Sequence, residues 1–370
     1  MKSHKKYNFV GFQFCGPFFW LRLARVGGIY FHKTFGGVID RLAWRSMHFI
    51  ARRQEKRIRP YFSEELNGLP ADPALLFPAP LPPALAGIKT TRWEKRGARW
   101  QRDLSFPSAW PSSHFENNTA YVRAFAGAPE ARRPAIIMLH GLMNVTLAAY
   151  RPFIKAVMEN GAAAYALEMP YHHRRTPLGS ISGDLFHTAN LEMTFHAVQQ
   201  AVSDVRRLLQ ILRQDGAPRV GILGFSLGAW IGGLLACCEP ELDCAFLGMP
   251  PHDLNHLVWH SGLGAQLRRC FAAQGWNENF TAAFYDKLDP LSYRPLLLPE
   301  HLQLYAAAFD SLIPLERVQA LRRAWSSPPL RIYPHGHLTI MISRQMHRDF
   351  REDLRNQLAR RKMSFCNKGS

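Results

Sequence analysis

A chain of 370 residues with 47% hydrophobic content can fill one large catalytic domain with attached extras or two modest domains, which excludes a disordered or fibrous protein. Forty-six Lys and Arg against 28 Asp and Glu leave a formal charge of +18, so an anionic partner is expected. No nucleic-acid motif accompanies that charge, and no nucleic acid is expected as a partner.

The first 60 residues carry 13 Lys or Arg against only Asp40 and Glu55, a net +11. The basic MKSHKKYN followed by the apolar FVGFQFCGPFFWL imitates a signal peptide. Arg22 and Arg25 then fall where a cleavage region belongs, no A-x-A site follows, and the apolar run is short of the roughly 20 residues of a membrane span. Retention of the segment is therefore expected. Val38, Ile39, Leu42, Ala43, Met47 and Ile50 recur at helical spacing, with Arg41, Arg45, Arg52 and Arg53 supplying charge. This predicts a basic amphipathic helix that either packs on the body or meets an anionic membrane surface. The expectation is a cytoplasmic protein, peripheral on the inner face of the membrane.

Residues 61–86 include LPADPALLFPAPLPPALAG, which suits neither helix nor sheet and predicts a linker between a 1–60 extension and a main domain over 87–370. In that domain, strands are predicted at 98–104, 119–126, 135–140, 162–167, 219–224, 243–248, 303–308 and 330–333. Leu191, Phe195, Val198, Val202, Val205, Leu209 and Leu212 alternate at fours and threes, a long amphipathic helix ended by Asp215-Gly216. Strands alternating with helices indicate a mostly parallel sheet covered on both faces, with a site at the carboxyl ends of the strands. Residues 251–300 lack a clean strand and are expected to form a small helical cap. Its Trp259, Phe271, Trp276, Phe280 and Phe284 suit either an apolar acyl pocket or the cap's own core.

Gly224-Phe225-Ser226-Leu227-Gly228 fits G-x-S-x-G, directly after the strand RVGIL and before the helical run AWIGGLLACC. That placement is what a nucleophile elbow needs, a tight turn projecting a serine hydroxyl. A hydroxyl is a poor nucleophile near neutrality, so a histidine must take its proton and a carboxylate must orient that histidine. Asp310, after the strand LYAAAF, is the favoured acid, with Asp253 as competitor. His337 is favoured over His335 as the base, because Gly336 frees the backbone to aim its ring. The amides of Leu142 and Leu227 are the expected oxyanion donors.

His252, His256 and His260 stand at i, i+4 and i+8, a zinc-like spacing, but a chance alignment is preferred because a catalytic serine needs no metal. No cofactor is expected. The six cysteines, Cys15, Cys237, Cys238, Cys244, Cys270 and Cys366, show no ligand spacing and indicate a reducing compartment.

The chain resembles the α/β-hydrolase superfamily over about residues 87–350, and more narrowly the abhydrolase-domain eighteen family, formerly a domain of unknown function. The matching stretches are LEMPYHHRRTP, GILGFSLG and FDSLIP followed by YPHGHLT. The resemblance implies lipid-related acyl hydrolysis, and its Gly-His supports His337. A family glycine is replaced near His173, and another by Ala229. Tyr171 and Arg175 are candidate substrate-binding residues on a loop near the site mouth. The expected function is hydrolysis of a small-molecule carboxylic ester or lipid, with acyl transfer or a non-catalytic binding protein on the same fold as alternatives.

Overall fold

A computed structural model describes residues 36–40, 58–81, 87–129, 132–262 and 264–360. Its core is one ten-stranded sheet. The runs AIIML, AAYAL, VGILGF, CAFLG and LQLYAA are buried along their whole lengths, as strands covered on both faces must be.

In chain order the strands are β1 (Lys89–Thr90), β2 (Glu94–Arg96), β3 (Arg99–Pro107), β4 (Thr119–Ala126), β5 (Ala135–Leu139), β6 (Ala163–Leu167), β7 (Val220–Phe225), β8 (Cys244–Gly248), β9 (Leu302–Ala307) and β10 (Leu330–Tyr333). Their spatial order is β1-β3-β4-β6-β5-β7-β8-β9-β10, with β2 on β3. Pairings from β6 through β10 are parallel, and those of β1 to β4 are antiparallel. This is the α/β-hydrolase fold expected from the sequence. The carboxyl ends of β5, β7, β9 and β10 therefore lie on one edge of the parallel portion, although the residues following them are up to some 200 apart in the chain.

The helices are α1 (Pro73–Leu76), α2 (Arg151–Glu159), α3 (Leu191–Gln214), α4 (Leu227–Cys238), α5 (Leu254–His260), α6 (Ala265–Ala272), α7 (Glu278–Lys287), α8 (Leu315–Ala324) and α9 (Arg344–Ala359). Asn190 caps α3 through a bond from the Met193 amide, and the helix stops at Asp215 before Gly216, as predicted. Every residue of α4 is buried against the sheet and α3, so the turn that precedes it is rigidly backed.

Two departures from the expectation are informative. Residues 58–81, within the region expected to include a linker, pack on the body: Leu66, Leu76 and Phe77 join the hydrophobic core. Tyr61 bridges Asn190, Gln199 donates to the Leu76 carbonyl, and Arg206 donates to that of Phe77. The second departure is the β1 and β2 pair, whose residues are all exposed and so carry no apolar pattern to read. The predicted apolar run Phe9 to Trp20 and most of the predicted helix Val38 to Arg53 lie outside the described residues; residues 36–40 are helical. Among the described residues no helix is long and apolar enough to cross a membrane.

Candidate active site

β7 runs straight into Ser226, which caps α4 with φ 53° and ψ −118°. A non-glycine residue in this region is strained, and its neighbours hold it there: its amide donates to the Gly248 carbonyl at 2.9 Å, and its carbonyl accepts from Trp230. The motif glycines are steric requirements. A Cβ on Gly224 would lie 2.2 Å from the Gly228 carbonyl oxygen, and one on Gly228 would lie 2.1 Å from that of Leu139. The serine is half-buried at the carboxyl edge.

Beyond β9, the Asp310 side chain is sealed from solvent. One carboxylate oxygen accepts from the amides of Leu312 and Ile313, both at 2.8 Å, and the other meets His337 Nδ1 at 2.7 Å. His337 follows β10 and is buried. Burial alone would lower its pKa, but the charge and hydrogen bond of Asp310, together with the charge of Asp40, outweigh that and raise it above the ordinary histidine value of 6.5. Asp253 pairs with Arg317, and the His335 carbonyl accepts from Phe309, tying the two loops together through the backbone.

After β5 comes His140-Gly141-Leu142. Gly141 approaches Ser226, since a Cβ there would lie 3.8 Å from the serine Cβ. The Gly141 amide is taken by the Tyr150 phenol at 2.9 Å, and the next amide in line belongs to Leu142. Leu227 is the first residue of α4, where helical amides have no intrahelical acceptor.

Two buried histidines fix this loop in space. His140 meets the Gly141 carbonyl through Nδ1 and accepts from the Met169 amide at Nε2. His172 meets the Pro170 carbonyl through Nδ1 and accepts from the Met143 amide at 3.2 Å. These partners require the neutral Nδ1–H tautomer of each ring. Burial pushes both below the usual range, His172 to about 3.

Tyr171 and Arg175, the candidate substrate contacts, are both buried. Arg175 pairs with Asp204 at 2.8 Å and donates to the carbonyls of Asn117 and Glu168. The Tyr171 amide donates to Asn117, and its ring lies edge-on to His114. The Arg175 guanidinium is used up inside the protein, and the Tyr171 ring is buried beside it in the 168–176 loop. The aromatics of the helical insert likewise pack together: Trp276 stacks on Phe280, and Phe62 meets both. Of the three spaced histidines, His252 bonds the Arg317 carbonyl, while His256 and His260 approach Glu278 with ligand atoms within 4.8 Å of one another. A cleft of about 330 Å³ opens beside the 140–148 loop, with Arg99, Arg123, Arg151, Glu168 and His173 in its lining.

No family model matches the chain. Uncharacterized proteins from two strains of Mycobacterium tuberculosis are each 32% identical over 243 residues; the match takes in 64% of this chain and 57% of theirs. The chain thus spans little more than half the length of these curated relatives. Among solved structures it is similar to an acetyl xylan esterase from Paenibacillus sp. R4, with TM-score 0.59, 15% identity and coverage of 82% of this chain and 98% of that one. An acetyl xylan esterase 1 from Thermoanaerobacterium sp. is similar at TM-score 0.53 and 16% identity, over 71% and 87% of the two chains. An acylaminoacyl peptidase from Pyrococcus horikoshii is similar at TM-score 0.52 and 15% identity, over 74% of this chain and 43% of that one. Likeness at this identity is likeness of fold.

Asp40 and Tyr150 were not among the residues picked out from the sequence. Asp40 carries one visible signal, as one of only two acidic residues among the first 60. Tyr150 has none.

Proposed function

We propose that this protein is a serine hydrolase that cleaves a carboxylic ester through an acyl-enzyme. The observation that carries the reading is the buried His337–Asp310 pair on the same sheet edge as a strained serine turn. Esterases among the structures sharing the fold agree with it.

In this reading the Ser226 hydroxyl gives its proton to His337 Nε2 as its oxygen attacks the substrate carbonyl carbon. Asp310 holds Nδ1–H and stabilises the imidazolium that forms. The oxyanion is met by the Leu142 and Leu227 amides, which the histidine-braced loop and the start of α4 keep in place before substrate arrives. His337 then hands the proton to the leaving alkoxide, and a water, deprotonated by the same ring, releases the acid. No metal is required.

The narrower substrate class is a lipid acyl ester, reached by peripheral attachment of the basic arm to an anionic bilayer. The support is the charge of residues 1–60 together with the aromatic run Phe9 to Trp20. The test of the chemistry is labelling with a fluorophosphonate probe: wild type labels on Ser226, Ser226→Ala does not, and purified protein turns over a short p-nitrophenyl ester. Labelling that persists in Ser226→Ala removes the serine from the role.

A further inference from the structure

Residues 36–40, some 300 positions before the catalytic histidine loop, lie directly on it. The contact depends on two facing glycines. A Cβ on Gly36 would stand 2.9 Å from the Gly336 nitrogen, and one on Gly336 would stand 2.6 Å from Asp40 Oδ2. The close approach places the Asp40 carboxylate, wholly buried, under the backbone of that loop: Oδ2 accepts from the His337 amide at 2.9 Å and Oδ1 from the Leu338 amide at 3.2 Å.

We infer that Asp40 is a positioning residue for the proposed catalytic base, its two carboxylate oxygens gripping the amides of His337 and Leu338 so that the ring is held in line between Asp310 and Ser226. This rests on the serine-hydrolase reading of the site. Here the two amides go to different oxygens of the carboxylate, and in an asparagine one of those positions is an NH2 donor that would face an N–H. Asp310 is occupied with its own loop through one oxygen and with the ring through the other, so it cannot also fix the backbone of the histidine. Asp40 acts at a distance too. Among the described residues, the charged groups acting on His337 are Asp310 and Asp40, and those acting on Asp40 are His337 and Asp310. Burial raises the Asp40 pKa, opposed by His337 and the two amides. A carboxyl held so far from water, whose hydrogen bonds among the described residues go to this loop, has its partners chosen by the fold.

The experiment measures the rate of fluorophosphonate labelling of full-length protein against pH for wild type and Asp40→Asn, with thermal unfolding recorded alongside. Asp40→Asn is expected to lower the high-pH plateau about tenfold or more, through misalignment, and to move the acid limb to lower pH, because His337 loses one of the two negative charges that favour its protonated form. A fall in unfolding temperature with plateau and limb unchanged makes Asp40 a packing residue and overturns the inference. Wild type that does not label on Ser226 overturns the hydrolase reading instead, so the two failures are distinct.

If Asp40→Asn does not fold, Gly36→Ala supplies the same readout, since its Cβ pushes residues 36–40 off the loop while leaving every charge in place. A slower plateau supports the inference, and an unchanged one overturns it. Hydrogen exchange of wild type is a further check. The His337 and Leu338 amides should exchange far more slowly than exposed loop amides, and exchange at the unprotected rate overturns the grip.

Discussion

In the proposed mechanism His337 works as a base only when neutral, and Asp310 and Asp40, outweighing burial, raise its pKa above the ordinary 6.5. The acid limb of kcat/KM for ester hydrolysis should therefore have its midpoint above 6.5; a midpoint well below 6 contradicts the carboxylate partnership. The linkage runs the other way for stability. Protonated His337 contributes stability that is full below 6.5 and is lost as pH rises through the folded value, so the active form is the less stabilised one. Asp310→Asn should lower kcat about 10⁴-fold by favouring the wrong tautomer while the fold remains. His172 shows the opposite sign. It stays neutral in the fold down to about 3, whereas an unfolded ring takes up a proton below 6.5, so stability is lost between those limits as pH falls. His172→Gln should be less stable at pH 7, since it loosens the Met143 amide, yet its unfolding free energy should fall with acid more gently, by up to about 1.4 kcal/mol per pH unit. Denaturant titrations at pH 7, 6 and 5 measure both effects.

At the scale of elements, the loop after β6 and the helix after β7 hold the site by different means. Arg175 and Asp204 are both fully buried, and Asp204 also accepts from Ser108. Arg175→Met leaves that carboxylate without its cation, and a loss of about 3–5 kcal/mol is expected in chemical denaturation. Its neighbour Arg174 pairs with Glu168 on a partly exposed surface, so Arg174→Ala should cost under about 1 kcal/mol. Equal losses for the two variants contradict the buried network. The parallel strands β5 to β9 are legible because burial on both faces writes a largely apolar run, and Ser226 and Asp310 stand out as candidates because each follows such a strand; His337 follows the half-exposed β10 and stands out by its Gly336 instead. Sequence reasoning did not locate β1 and β2, whose exposed residues write nothing. It took Arg175 for a substrate contact because a charged residue near a site mouth reads the same whether its partner is a ligand or Asp204. It took residues 61–86 for a linker because proline content reports conformational restriction, while Leu76 and Phe77 report docking only once the groove that receives them is known.

For the whole molecule the question is how an arm with a +11 charge relates to a buried site. Gly36 sits against Gly336, so residues 36–40 of the arm join the body beside His337. Residues 1–35 hold Lys2, Lys5, Lys6, Arg22, Arg25 and Lys33 with no acidic residue, alongside the aromatic run Phe9 to Trp20. Each basic residue near an anionic bilayer contributes about 1 kcal/mol, so three or four engaged together with inserted aromatics give useful affinity that salt weakens. In the proposed reading, attachment belongs to the basic arm and alignment to residues 36–40, which hold the loop. Two variants separate them. A chain beginning at Gly36 should keep the labelling rate of Ser226 and sediment less with vesicles containing phosphatidylserine, having lost six of the 13 basic residues and the aromatic run. Full-length Asp40→Asn should sediment as wild type does, with release at high salt, and label slowly. If the shortened chain still sediments, the basic helix predicted over Val38 to Arg53, which it keeps, becomes the better candidate for membrane contact. If full-length protein ignores anionic vesicles even at low salt, attachment is excluded and a soluble ester becomes the better substrate.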